Sequence, residues 1–511
     1  MSDNTQNSKR IAKNTILLYF RMILMMGVSL YTSRVVLQAL GVEDYGIYNA
    51  VGGIIAIFNI IRGSLSTATQ RFITHALGKK DEEYLSRVFS TSIFMHMALC
   101  VVILILAETA GLWLLENKMN IPTDRETAAM WVYQLSILSS LIIVMSIPYN
   151  ATIIAHEKMG AFATISLIEV FLKLGIVYLL VVFSTDRLIS YSILMVAIQL
   201  IVRYCYTRYC IKNFKETKIR YVKDTKLIKE IGLFSTWSVM GNAAYVSCTQ
   251  GLNILLNLFF SPVVNAARGI AVQIQSAVWQ FVMNFQTAFN PQITKSYASG
   301  DLGYMHRLVF TSSRFSFYLI FIISLPILIE CETILHIWLG IVPEYTVTFS
   351  RIVLITCWIN AVANPLIVSV KATGNIKTFE LIIGIITILT LPISYVFLKF
   401  GYPPYIVFII NFVTEIIAHI FRIWITSRLI SFSIYNFTKE VISRCIIITI
   451  IATPLPLFLH TQMERSTASF ICISIISIII SCSTIYLIGL LKNERTYINR
   501  KVSHILHKHF R

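Results

Sequence analysis

Runs of about twenty apolar residues recur from one end of the 511-residue chain to the other, and nothing constrains its fold more. Each is long enough to cross about 30 Å of hydrocarbon as a helix. Inside a bilayer only helices and closed barrels satisfy every backbone group. The runs read as fourteen spans at 14–40, 46–72, 88–115, 129–154, 161–183, 188–209, 231–256, 262–291, 308–331, 346–370, 378–398, 404–428, 441–460 and 467–491. An even number places both termini on one side. Only 13% of the residues are charged, against about a quarter in soluble chains. The longest polar stretch, 211–230, is too short for a separate soluble domain. The first run is too long for a signal-peptide core and lacks a small-residue cleavage site, so it reads as a retained first helix.

The loop charges test this count. The loops on the side of the termini carry 28 Lys and Arg, and the opposite loops carry five: Lys118, Arg125, Arg187, Lys399 and Arg465. That asymmetry predicts cytoplasmic termini. The net charge of +18 is then mostly topogenic charge facing anionic headgroups, which excludes nucleic acid as the partner. The basic stretch 208–230 alternates with Tyr and Ile and reads as a surface-lying loop helix. Nine scattered cysteines without a CxxC read as packing residues, not disulfides or metal ligands.

Shifting the chain by 220 residues aligns Ile73-Thr74 with Ile293-Thr294, Tyr84 with Tyr304, Arg87 with Arg307 and Thr91-Ser92 with Thr311-Ser312. A shift of 217 aligns Pro148 with Pro365, Ala155 with Ala372 and Phe162 with Phe379. Spans 1–6 and 7–12 therefore read as two copies of one unit inserted in the same orientation, with spans 13 and 14 added. The expected divisions are an N-lobe at 1–210, a cytoplasmic basic linker at 211–230, a C-lobe at 231–430, and spans 13–14 with a basic tail at 431–511. Such parallel repeats are one plan for secondary transporters, with substrate bound between halves that rock.

The polar residues concentrate in three of these spans. In the second, Asn59, Arg62, Ser66 and Thr69 fall within about 80° on a helix. In the eighth, Arg268, Gln275, Trp279 and Gln286 fall within about 40°. The seventh carries Asn242, Gln250, Asn253 and Asn257. Interhelical hydrogen bonding and a wet cavity both account for such stripes, and an arginine in two of them favours the cavity, because a mid-span arginine costs about 2.5–3.5 kcal/mol on insertion scales. The first span carries Arg21 and Arg34, about 20 Å apart along an ideal helix. Either Gly27 permits a bend or one of the two snorkels to the headgroups. Glu169 with Lys173, and Glu415 with His419 and Arg422, share helix faces. They read as structural pairs or as cation or proton sites, with Glu415 the foremost ion-coupling candidate and Glu169 the next. Glu108 and Glu380 are weaker. Pro148 and Pro365, repeat-related and late in their spans, are candidate bending points. His504, His507 and His509 lie among basic tail residues and read as part of an amphipathic surface helix. No GxSxG, Walker A or HExxH motif occurs, so the chain reads as neither an enzyme nor a primary pump.

The stretch Arg34-x5-Leu40-Gly41-x3-Tyr45-Gly46-x-Tyr48, the six-plus-six-plus-two spans, and arginines in spans 1, 2 and 8 resemble the Wzx-type polysaccharide flippases. These are the O-antigen and capsule repeat-unit translocases of the multidrug/oligosaccharidyl-lipid/polysaccharide (MOP) exporter superfamily. The resemblance implies an all-α polytopic protein of two pseudo-symmetric six-helix lobes plus two C-terminal helices, working by alternating access in the bacterial inner membrane. It implies an undecaprenyl-diphosphate-linked oligosaccharide as substrate, O-antigen and lipopolysaccharide biosynthesis as the process, and the polymerase and chain-length proteins of the same pathway as partners. Cationic cavity residues would hold the diphosphate: Arg62, Arg268 and Arg34 match in placement the arginines of the related lipid II flippase, with Arg21 the alternative to Arg34. No cofactor is implied beyond a proton or sodium gradient. The rival is a cation-coupled drug antiporter of the same superfamily. Such antiporters have twelve spans and favour acidic cavity residues.

Overall fold

Among the described residues there is no strand, and the helices follow one another with short joints. The computed structural model describes residues 2–56, 58–119, 121–180, 186–220, 224–260, 262–464, 466–496 and 499. The histidine-bearing tail therefore lies outside the described residues. The chain divides into two compact units.

Unit 1 is built from α1 (Ser2–Ala56), α2 (Asn59–Lys79), α3 (Glu82–Leu106), α4 (Leu112–Lys118), α5 (Glu126–Ala155), α6 (Met159–Leu180), α7 (Arg187–Asn213) and the first part of α8 (Thr225–Phe259), up to Ala243. α5 packs on α2, α3 and α7, and α1 packs on α6. A core of Val51, Val132, Tyr133, Ile137 and Leu188 ties α1, α5 and α7. The boundary falls later than the expected 211–230 linker because the start of α8 is bound to α2: Phe234 meets Phe72 edge-on at 5.9 Å, and the Asn242 amide donates to Ser64 Oγ at 2.8 Å.

Unit 2 holds α8 from Ala244, α9 (Pro262–Ala298) as far as Gln286, α10 (Leu302–Ile329), α11 (Cys331–Leu339), α12 (Thr346–Thr373), α13 (Lys377–Lys399) and α14 (Ile406–Ile430). It also holds the C-terminal helices α15 (Ile434–Phe437), α16 (Ser443–Ala452), α17 (Pro454–Gln462) and α18 (Thr467–Thr484). α12 packs on α10 and α14, as α5 packs on α3 and α7 in unit 1, and α18 packs on α10. The internal repeat is thus visible as repeated packing. Two segments between unit 2 helices, Thr287–Asp301 and Gly374–Lys377, belong to unit 1.

Eleven described helical stretches are long and apolar enough to cross a membrane. The expected spans 46–72, 231–256 and 262–291 are not among them. They are helical, in α1–α2, α8 and α9, but they are the spans with the polar stripes. The first two spans were also expected to part at the Gly41 joint. Instead α1 runs on to Ala56, bending at Gly41, whose φ of 82° suits glycine, and the break comes at Phe58. The expected loop helix at 208–230 differs as well. α7 ends at Asn213, residues 215–217 form a single 3₁₀ turn, and α8 starts at Thr225. The turn is pinned: Phe214 stacks on His156 at 4.1 Å and Glu216 accepts from His156 Nε2 at 2.5 Å. Burial acts to raise the Glu216 carboxyl, but the His156 bond outweighs it and holds the group below its ordinary range.

α5 ends with two reversed bonds, Lys158 N–H to Ile153 C=O at 3.0 Å and Glu157 N–H to Ile154 C=O at 2.9 Å, around Glu157 at φ 59°. This is a Schellman cap, whose left-handed position usually carries glycine. The repeat-related turn after α12 does carry it, as Gly374 at φ 83°.

Candidate functional site

The expected site residues divide between the units. In unit 1, Arg62 sits one turn after the break at Phe58, its N–H bonded to Phe58 C=O at 3.1 Å. Its side chain is half-buried, and no side-chain partner accompanies it among the described residues. Ser66 is half-buried on the same helix and Thr69 is buried. Arg34 and Asn59 lie on helical backbone, but their side chains are outside the described residues. The Arg21 guanidinium lies 4.3 Å over the Phe162 ring, with its Nε buried and unbonded. That is a cation–π contact between α1 and α6, and the charge of Glu169 acts on it as well. Glu169 itself is held by Lys173 at 2.7 Å and Gln199 at 3.5 Å.

The conspicuous stretch from Arg34 to Tyr48 serves as a staple. Its acid Asp44 pairs with Arg125, which also binds Asp186 at 2.6 Å. Asp186 in turn caps α7, accepting from the Leu188 and Ile189 N–H groups. Tyr48 meets Tyr191 edge-on at 4.9 Å. The bend of α1 is thereby fastened to the starts of α5 and α7.

In unit 2, Arg268 is 6% exposed and is held by α8. It donates to the Thr249 carbonyl at 2.7 Å and to Asn253 Oδ1. The polar residues of the seventh span thus orient the arginine of the eighth. Gln275 is half-buried and bonds the Cys357 thiol. Trp279 packs on the core of Val278, Val282, Ile320 and Leu354. Gln286 is fully buried, giving hydrogen bonds to Ser316 Oγ at 2.9 Å and Ala361 C=O at 3.2 Å and receiving one from Asn364. Its amide is thereby spent within the unit. Glu415 binds Arg422 at 2.8 Å, and both ring nitrogens of the buried His419 beside them lack a partner. Glu380 lies 4.0 Å from Lys371. In unit 1, Glu108 accepts from Gln134 at 3.2 Å. Pro148 and Pro365 are buried inside continuous helices. Among the described residues no cluster of metal-ligating side chains occurs.

Two charged residues with large roles escaped the sequence reading. Arg314 is fully buried in α10 and paired with Glu494 at 2.7 Å, tying α10 to the segment after α18. Glu157 is buried at the end of α5 and gathers donors from three elements. A signal existed for Glu157: the 217-residue shift puts it opposite a glycine.

No family model matches the sequence, and no curated protein matches it. Solved structures do resemble its fold. A MATE transporter in a bent conformation superposes with a TM-score of 0.71 at 14% identity, covering 83% of this chain and 96% of that one. An outward-facing multidrug resistance MATE transporter of the MOP superfamily gives 0.68 at 16%, with 83% and 96% covered. A MOP superfamily transporter from Pyrococcus furiosus, described as having a binding pocket of reverse polarity that suggests a different function, gives 0.67 at 16%, with the same coverage. The chain is a multi-pass helical membrane protein with the fold of these transporters.

Proposed function

We propose that the protein is a transporter that flips an undecaprenyl-diphosphate-linked oligosaccharide repeat unit across the bacterial inner membrane by alternating access. The direction is from the cytoplasmic to the periplasmic leaflet, with both termini cytoplasmic. One observation carries the reading: the three polar spans bear cationic side chains and almost no acid. α2 and α9 contain no Asp or Glu, and α8 contains only Glu230 near its start. A half-buried arginine without a protein partner (Arg62) and one pre-oriented by α8 (Arg268) suit a diphosphate, because guanidinium makes two parallel charge-assisted bonds to phosphate oxygens. Arg34 or Arg21 completes the set. Ser66, Gln275 and Trp279 add polar and amphipathic surface. A member of this fold has already been described with a pocket of reverse polarity, so the fold accommodates that sign of charge. Glu415 and Glu169, each paired to a cation, are the candidates for proton or sodium coupling, and Pro148 and Pro365 for bending.

The test is deletion of the gene with extraction of polyprenyl-diphosphate glycans, followed by complementation. Accumulated lipid-linked units, rescued by the parent chain and not by Arg62→Ala or Arg268→Ala at equal membrane levels, are the expected outcome. Full rescue by both variants would falsify the reading. The second reading is a cation-coupled drug antiporter. It is favoured by the acid of the Glu415–Arg422 pair and by the drug-transporter description of a structure of this fold. New sensitivity to cationic drugs with normal surface glycan would establish it.

A further inference from the structure

Glu157 is unusual in three respects at once. Its backbone stands in the left-handed region at φ 59°, which costs a side-chain-bearing residue about 1 kcal/mol or more and which glycine would take freely. Its side chain is 0% exposed. That carboxylate receives Arg10 Nε at 2.8 Å, Gln292 Nε2 at 2.6 Å and Lys295 Nζ at 2.7 Å, while the Glu157 carbonyl accepts from the Asn14 amide at 3.2 Å. Arg10 and Asn14 stand on α1, and Gln292 and Lys295 on the last third of α9. A strained residue persists where its surroundings over-determine it, and here the surroundings are donors that glycine could not satisfy.

The segment so held is special. α9 is one helix of 37 residues, yet its residues from Thr287 onward belong to unit 1 while Pro262–Gln286 belong to unit 2. Besides Glu157, the held end meets α2 at Gly78, where an added Cβ would stand 2.6 Å from Ala298 Cβ and 2.8 Å from Lys295 O. His75 lies 6.5 Å from the Tyr297 ring. The docking surface is therefore small and close-fitting, and one carboxylate supplies its ionic component.

We infer that Glu157 is an ionic lock that docks the terminal third of α9 on α1 and the α5–α6 turn, and that the transport cycle opens this lock. A buried carboxylate shared by three donors holds strongly while docked and becomes solvated once released, so the contact is two-state. The inference rests on the reading of the chain as a transporter, and not on its cargo.

The test uses the full-length protein in nanodiscs and hydrogen exchange of the segment 287–301. Glu157→Gly keeps the cap of α5 and relieves its φ while removing the carboxylate. It is expected to speed exchange of 287–301 about tenfold and to leave α5 and α12 unchanged. Unchanged exchange at 287–301, or equal acceleration across α5 and α12, overturns the lock. Opening is tested by Glu157→Cys with Lys295→Cys, bridged by a short bifunctional methanethiosulfonate. Reversible loss of surface-glycan complementation, restored by dithiothreitol, is expected, whereas full complementation while bridged shows that the contact need not open. The exchange arm requires no substrate, so it stands even where the flippase reading fails.

Discussion

The turns after α5 and α12 occupy equivalent places in the two halves and solve the same backbone problem with different residues. After α12 the left-handed position is Gly374, and a side chain could not enter without displacing Arg71, whose Nη2 lies 2.7 Å from where the Cβ would be. Arg71 reaches it from a stack on Phe72 and Phe234 at 4.5 and 5.7 Å. After α5 the same position is Glu157, and the cation comes to the side chain instead of the backbone. Both turns are gripped by cations from the end of a repeat-related helix, Arg71 on α2 and Lys295 on α9. Only one grip is an ion pair. Pseudo-symmetry fixes the shape of the two turns, and the departure from it marks where a charge has been introduced at a cost in backbone strain.

The sharpest way to break this comparison is Glu157→Ala, which keeps the unfavourable φ and leaves Lys295 and Gln292 buried without their acceptor. A loss of about 3 kcal/mol is expected in reversible unfolding, as when one partner of a buried pair is removed. Gly78→Ala presses a methyl against the backbone of α9 and should cost about 2 kcal/mol, reported by the same measurement. A milder loss, about 1 kcal/mol, is expected for Gly374→Ala, because the Arg71 head can move aside while the strain of φ 83° cannot be avoided. Glu157→Gly should recover about 1 kcal/mol relative to Glu157→Ala. Were the two equal in stability, the claim that φ is strained at residue 157 would be wrong. The smallest effect is one of pH. Burial, then the charges of Arg71 and Lys79, lower the His75 imidazole to about 4. A depressed pKa contributes stability that is present above the unfolded value, about 6.5, and is lost as pH falls from there towards 4. Exchange at 287–301 should therefore quicken between pH 6.5 and 5 in the parent chain, and less so in His75→Asn.

Much of this architecture was legible in the sequence, because hydrocarbon leaves so few choices. Span lengths, the repeat and the polar stripes of spans 2, 7 and 8 follow from apolar periodicity alone. The orientation of Arg268 by Thr249 and Asn253 is a consequence of those stripes meeting. The break at Phe58 was not legible, since Gly41 offered the stronger turn signal and the bend it makes did not end the helix. Glu157 was hidden for a different reason. A lone acid in a six-residue loop carries no pattern, and its weight comes from donors at positions 10, 292 and 295, which sequence distance keeps apart. The pinned turn at 214–217 was hidden likewise by its dependence on His156.

The length of α9 has a mechanical consequence. From Gln292 to Arg268 is about 36 Å at 1.5 Å per residue, so the helix is a lever with its short end in the grip of Glu157. A rotation of about 10° at that end carries the backbone of Arg268 through about 6 Å, twice the reach of a hydrogen bond. A stiff beam of this kind converts a contact of atomic dimensions at one face of the membrane into a displacement the size of a phosphate group deep within it.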